Sequence, residues 1–245
     1  MKNRLPVIRR GLLLQLSVSF LSFFILYSRR PDAVINPQFW AEDGGWYADA
    51  YNQTFFEALF KSQSGYFQTL SRLVAAVAQL FPLAYAPVVF NAAGFIIKIL
   101  IVNLLVSRRF SKTVPNLGFC FLLGLFSLAL PHSSEAHINL TNAQWHLAIL
   151  SFLIIISSPG DKLSWKILDV VITTIAALTG PFCVFLLPVA VFIWWQRRER
   201  WTLVLAVILG ISSIIQAISV IATRPPSVSS SPSNPLDLIN IDLKP

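Results

Sequence analysis

Charge is scarce in this chain. Asp, Glu, Lys and Arg make up 12% of its 245 residues, about half the roughly 25% of a soluble domain. That shortage excludes an ordinary water-soluble fold. Cysteine is scarcer still. The two present, Cys120 and Cys183, lie inside apolar runs, which excludes a disulfide framework or a zinc-finger spacing and leaves them as packing residues. Several motifs are missing. There is no Gly-rich phosphate loop, no Ser/His/Asp signature, no HExxH and no CxxC. No chain of intramembrane acids of the kind a proton pump needs is visible either.

Long apolar runs are abundant. Hydrophobic residues make up 55% of the chain and its mean hydropathy is +0.66. Several runs reach or approach the roughly 20 residues that cross a hydrocarbon core. Helices satisfy their own backbone groups in lipid, so the expected fold is all-α. It is a polytopic membrane bundle of about seven transmembrane helices plus one short interfacial or re-entrant helix. The expected spans are about 11–28, 83–106, 116–130, 143–157, 164–179, 182–196 and 201–222. An outer loop with its interfacial helix covers 29–82. Residues 1–222 form one transmembrane domain, and 223–245, rich in Ser, Pro and Asn, read as an irregular extracytoplasmic tail. The basic start resembles a signal peptide. Its apolar stretch is long for one, and no small-x-small site precedes Arg29-Arg30, so it reads as a retained first span.

The net charge of +8 is distributed as a topology signal rather than as a nucleic-acid surface. With the N-terminus cytoplasmic, the inner segments hold Lys2, Arg4, Arg9 and Arg10; Arg108, Arg109 and Lys112; Lys162 and Lys166; and Arg197, Arg198 and Arg200. That is 12 of the 19 basic residues. Eight of the 11 acids fall outside: Asp32, Glu42, Asp43, Asp49, Glu57, Glu135, Asp237 and Asp242. The C-terminus is then extracytoplasmic, and a bacterial inner membrane is the expected location. Lys98, within the second span, is expected to snorkel toward the inner end.

Chemistry is expected on the outer side. Glu42 and Asp43 lie in Phe39-Trp40-Ala41-Glu42-Asp43-Gly44-Gly45-Trp46. Residues 39–60 contain eight aromatics in 22 positions, and amphipathic rings favour the headgroup level. Apolar pairs from Trp46 to Phe60 predict one short interfacial helix. Gly44-Gly45 predicts a sharp turn after the two acids. Carboxylates at the lipid rim lose solvation, which moves a pKa toward a general base's range. The competing reading is a solvated acidic turn in which Asp43 caps a helix. A second outer loop offers His132, Glu135, His137, Asn139, Asn142, Gln144, Trp145 and His146, including all three histidines of the chain. It could bind sugar hydroxyls, contact a phosphate, or hold a divalent metal with the first loop's acids, although no zinc spacing is present. A capped polar loop is the bland alternative. Arg72 interrupts the apolar segment 66–81. At a bilayer centre it would cost about 2.5–3.5 kcal/mol, so it must snorkel, pair with an acid, or meet an anion such as phosphate. Gly180-Pro181 predicts either a tight hairpin or a backbone wall of a cavity.

Ala41-Glu42-Asp43-Gly44, the aromatic segment behind it, Leu70-Ser71-Arg72-Leu73, Leu83-Ala84-Tyr85-Ala86-Pro87 and Glu135-Ala-His-Ile-Asn139-Leu-Thr-Asn142-Ala-Gln-Trp145 together resemble the GT-C class of bacterial multi-span glycosyltransferases. The resemblance covers roughly residues 10–200. Members usually have more spans, and many add an outer soluble domain. The resemblance implies a polyprenyl-phosphate-linked sugar as donor, a glycan or lipid acceptor and no organic cofactor. It places the catalytic base on Asp43 or Glu42, and the expected assignment is Asp43 as base with Glu42 supporting it or exchanging roles. Arg72 and His137 would face the departing phosphate, and Glu135, Asn139, Asn142 and Trp145 would complete the substrate site. The alternative from another class is a lipid-linked sugar flippase, transporter or non-catalytic assembly subunit. A transporter predicts polar residues along a mid-membrane path, and the spans are nearly free of them apart from Asn91, Lys98 and some Ser and Thr.

Overall fold

The computed structural model describes residues 4–130 and 137–223. Glu135, His132 and the tail from Arg224 onward lie outside the described residues. The described chain is helical, without strands. Helix α1 is Arg4–Arg29, α2 Asp32–Ile35, α3 Asp43–Asn52, α4 Phe55–Phe60, α5 Thr69–Ala78 and α6 Ala86–Leu105. They are followed by α7 Leu117–Ala129, α8 Ala143–Ile156, α9 Leu163–Ala177, α10 Phe182–Arg197 and α11 Arg200–Thr223. Three segments are long and apolar enough to cross a membrane: Gly11–Arg29, Leu83–Leu105 and Arg200–Thr223. The helices α7, α8, α9 and α10 have 13, 14, 15 and 16 residues.

Apolar side chains point outward all along the bundle. Leu16 and Phe20 on α1, Leu122 and Phe126 on α7, Phe192 on α10 and Ile214 and Ile218 on α11 are all exposed. The interior contains polar groups, Asn91, Lys98, Ser151, Thr173 and Gln216 among them. A fold in water would leave so large an apolar surface uncovered only at an interface.

Two groups of polar contacts mark the two ends of the long helices. At one end Arg109 grips the carboxylate of Asp169 with both Nη atoms, at 2.9 and 2.7 Å, and Arg197 donates to the carbonyls of Ile156 and Ser157. The groups gathered there are those the charge distribution places inside. At the other end the residues following α1, those preceding α8 and the α9–α10 turn meet, and the cavity described below lies there.

The outer loop differs from expectation in two ways. Its aromatic stretch forms two helices, because Thr54 starts a new one. Its side chain accepts from the Glu57 amide while Glu57 caps the Thr54 amide in return, a reciprocal box that satisfies two orphan N–H groups. The sharp turn is also not at Gly44-Gly45, which lie inside the first turn of α3. It is at Ala41, whose φ is 43°. Helix α5 occupies the middle of segment 66–81. It buries Ser71, Arg72, Ala75 and Ala78 and packs against α3, α4, α6 and α9.

The described part of the second loop, from His137 to Leu140, is not on the surface. His137, Ile138, Asn139 and Leu140 are all buried, and they lie against Gly94 in α6. A Cβ on Gly94 would stand 3.1 Å from the Asn139 nitrogen and 3.2 Å from the Ile138 Cα. Gly94 is eight residues into α6, about 12 Å along it at 1.5 Å per residue. Irregular backbone at that depth is tolerated when protein surrounds it, and its polar groups are paired. Arg30 Nη1 donates to the His137 carbonyl at 2.9 Å, and Asn139 Oδ1 accepts from the Asn142 amide at 2.8 Å. Lys98 Nζ lies 2.6 Å from His137 Nδ1 rather than reaching for the inner end.

Candidate functional site

A cavity of about 510 Å3 opens at the end of the bundle away from the Arg109–Asp169 pair, within the roughly 300–1,000 Å3 usual for small-ligand sites. Its wall combines the first loop (Glu42, Trp46), the 63–68 segment (Gln63, Ser64, Tyr66, Gln68), the start of α8 (Thr141, Gln144, Trp145) and the α9–α10 turn (Pro181, Phe182, Phe185). These pieces are held by backbone and side-chain bonds. Thr69 N donates to the Leu178 carbonyl at 3.1 Å and Gly180 N to that of Phe67 at 2.9 Å. Buried Gln216, on α11, accepts from the Phe67 amide and donates to the Gly180 carbonyl. One amide side chain thus ties three segments together.

The two outer loops meet at Thr141. Its hydroxyl lies 3.0 Å from Asp43 Oδ1 and 3.1 Å from the Trp40 carbonyl oxygen, and the Trp40 amide donates to Asp43 Oδ2 at 3.3 Å. Asp43 is fully buried, so the reading of a solvated turn does not apply to it. Burial pushes its pKa up from 3.8 to about 6, against the opposing pull of the Thr141 and Trp40 bonds. A hydroxyl has one proton to give and two acceptors here. Below about pH 6, where Asp43 is protonated, it donates to Thr141, which then donates to Trp40. Glu42, by contrast, is exposed and faces the cavity.

Asparagine reproduces that neutral arrangement. Asp43 raises its folded pKa above the unfolded one, so its effect on stability is most favourable below about pH 4 and worsens as pH rises through about 6. The difference is about 3 kcal/mol, at 1.36 kcal/mol per pKa unit. Asp43→Asn is therefore expected to melt higher than wild type at pH 8 and to lose that advantage by pH 4. Thermal melts in detergent at the two pH values check this.

Among the described residues, four non-glycine residues have positive φ: Ala41, Ser64, Ile138 and Arg198. Arg198 is the left-handed cap of α10, a common helix ending. Two of the other three adjoin or line the cavity. Ala41 precedes Glu42, Ser64 lines the cavity, and Ile138 sits in the buried loop below. Strain of this kind costs about 1–3 kcal/mol per residue and gathers at functional sites.

The remaining residues expected at the site fall into three groups. Trp145 lines the cavity, and its ring meets Phe182 edge-on at 4.8 Å. Asn139, Asn142 and His137 lie beneath as supports for the buried loop. As the helical spacing predicts, His146 Nδ1 is 3.2 Å from the Asn142 carbonyl oxygen. Arg72 lies apart from the cavity. Its Nη1 meets Asp49 Oδ2 at 2.5 Å, and Lys61 binds the other oxygen at 2.6 Å. Burial pushes the Asp49 pKa up, but the bonds from Lys61 and Arg72 outweigh it and hold the carboxyl below its usual range. The carboxylate-pairing alternative for Arg72 is the one observed. Among the described residues, no three His, Cys, Asp or Glu side chains come together as a metal site.

Thr141, Gln63, Tyr66, Gln68, Phe182 and Phe185 are cavity residues that pattern reasoning passed over. Their one sequence signal is position, since each lies close to a helix end.

No protein-family profile, curated protein or solved structure matches this chain.

Gly180 shows how tightly the wall is built. It has φ +77°, and a Cβ there would stand 2.3 Å from Gln144 Oε1, the atom that accepts from Gln68 Nε2 at 3.3 Å. Gly180→Ala is expected to cost about 1–3 kcal/mol through backbone strain and to expel Gln144. The double variant with Gln144→Ala should melt above Gly180→Ala alone, because the clash is gone while the strain remains.

Proposed function

We propose that the chain is a membrane glycosyltransferase. It moves a sugar from a polyprenyl-phosphate donor to an acceptor hydroxyl at the extracytoplasmic face, with Glu42 as general base. The observation that carries this reading is the cavity itself. Its walls are amides, hydroxyls and aromatic rings with one carboxylate among them, at the end of the bundle opposite the basic clusters. An apolar groove of about 260 Å3 adjoins it, sharing Tyr66 and Pro181 and continuing along Val184, Ala217, Val220 and Ile221. A polar pocket that runs into a hydrocarbon-lined groove suits an amphiphile whose head reacts while its chain stays in lipid.

In this reading α1 and α6 to α11 are seven membrane spans, with the N-terminus cytoplasmic and the membrane a bacterial inner membrane. The short helices cross because the loop against Gly94 carries the chain part of the way. Glu42 removes the proton of the acceptor hydroxyl as its oxygen attacks the anomeric carbon. The bond from that carbon to the phosphate oxygen breaks with its electron pair, and the lipid phosphate departs without needing an acid. The anomeric configuration inverts, and Glu42 returns its proton to water. Asp43 is a positioning residue. It fixes Trp40 and Thr141, and through the Ala41 turn it sets where Glu42 points. Arg72 has no part in the step, because Asp49 occupies it.

The test is consumption of a radiolabelled lipid-linked sugar, with acceptor present, by membranes containing the full chain. Relocation across the bilayer without cleavage would identify a flippase and end the proposal.

A further inference from the structure

The cavity's lining says more than that a sugar fits. We propose that it selects an uncharged glycosyl group, a neutral hexose or deoxyhexose, and rejects uronic acids. This inference rests on the sugar-site reading above.

The first observation is electrostatic. Among the described residues lining the cavity, Glu42 is the only charged group, and no Lys, Arg or His joins it. A carboxylate on the ligand would enter beside a like charge with no cation to receive it. Near the protein surface that repulsion weakens binding of the charged ligand, and added salt screens it. For the same reason the donor's phosphate belongs outside this pocket, on the side of the groove.

The second observation is the geometry of the neutral polar groups. Gln68 Nε2 donates to Gln144 Oε1, which leaves Gln68 Oε1 as an acceptor and Gln144 Nε2 as a donor with no bond from the described residues. Each amide thus offers the complementary half of what a hydroxyl gives and takes. Gln63 and Ser64 stand on the same wall. The third observation is apolar. The half-exposed Trp145 ring, braced edge-on by Phe182, gives a flat face for the C–H surface of a pyranose. A site built to hydrogen-bond hydroxyls discriminates strongly against a ligand that leaves those bonds unmade.

Binding of simple glycosides separates this inference from the transfer reaction. The full chain in detergent is titrated with a panel of neutral methyl hexosides and with their methyl uronoside and aminoglycoside counterparts, read by tryptophan fluorescence. At least one neutral hexoside is expected to bind, with its uronoside at least about tenfold weaker. Glu42→Gln should close that gap by strengthening the uronoside. Trp145→Ala should weaken the neutral ligand about tenfold, and Gln144→Ala likewise. Equal or tighter uronoside binding overturns the inference. So does a gap untouched by Glu42→Gln, a tenfold preference for the aminoglycoside, or a panel in which no neutral hexoside binds. Selective neutral binding without turnover of any lipid-linked donor would leave the inference standing and remove only the transferase reading.

Discussion

Glu42→Gln should lower sugar transfer by about 10²–10⁴-fold, the usual contribution of a positioned general base, while leaving the melting temperature unchanged. The side chain is exposed and faces the cavity, so the amide costs no buried bond. Glu42→Asp should retain part of the activity, limited by reach. Asp43→Asn keeps the contacts of Trp40 and Thr141, and it should transfer within about tenfold of wild type. Initial rates in membranes matched for protein level decide between the two acids. Loss in Asp43→Asn with wild-type turnover in Glu42→Gln would exchange their roles. Full turnover in both would remove the carboxylate mechanism.

Asp49→Ala should cause the largest loss of stability of any single change considered. Arg72 has no exposed side-chain surface, and Asp49 is 20% exposed. Among the described residues, Arg72 Nε and Nη2 have no hydrogen-bond partner, so Asp49 supplies the compensation for a buried guanidinium. Removing one partner of such a pair costs about 3–5 kcal/mol, because the other charge stays buried and unpaired. Replacing both, as Asp49→Ala with Arg72→Met, removes the stranded charge and should recover most of the loss. Thermal melts of the three variants in one detergent test this. If Asp49→Ala melts like wild type, Arg72 has another anion in the folded chain, and the phosphate reading of Arg72 returns.

The helices were legible because their signal is local. Apolar runs between basic clusters placed α6 to α11 within about three residues of their observed limits. The same clusters sorted the helix ends into the two groups that the Arg109–Asp169 pair and the Thr141–Asp43 contact mark. The aromatic first loop and its two acids were also visible, as was the Asn142–His146 register. The break at Thr54 was legible in hindsight from Thr-x-x-Glu, a known start signal, which the continuous run of aromatics masked.

The site was legible only in outline. Adjacent acids in a sequence carry no information about which one meets solvent. Here the left-handed turn at Ala41 buries Asp43 and leaves Glu42 facing the cavity, and a positive φ at alanine has no sequence signature. Arg72 could be expected to need an anion, but whether a carboxylate or a ligand supplies it depends on α3 packing against α5. Gln68 and Gln144 are 76 residues apart, so nothing in either neighbourhood announces the pair.

Composition, apolar run length and charge asymmetry, all properties of short windows, determined by themselves that this chain is helical, that it carries membrane-length segments, and which polar residues share an end. The tertiary structure alone decided that the second loop plunges to Gly94, that Lys98 turns to His137, and that one acid is exposed while its neighbour is buried. Those outcomes depend on contacts between residues far apart in the chain, where excluded volume and the need to pair every buried polar group select one arrangement from many that the local pattern permits.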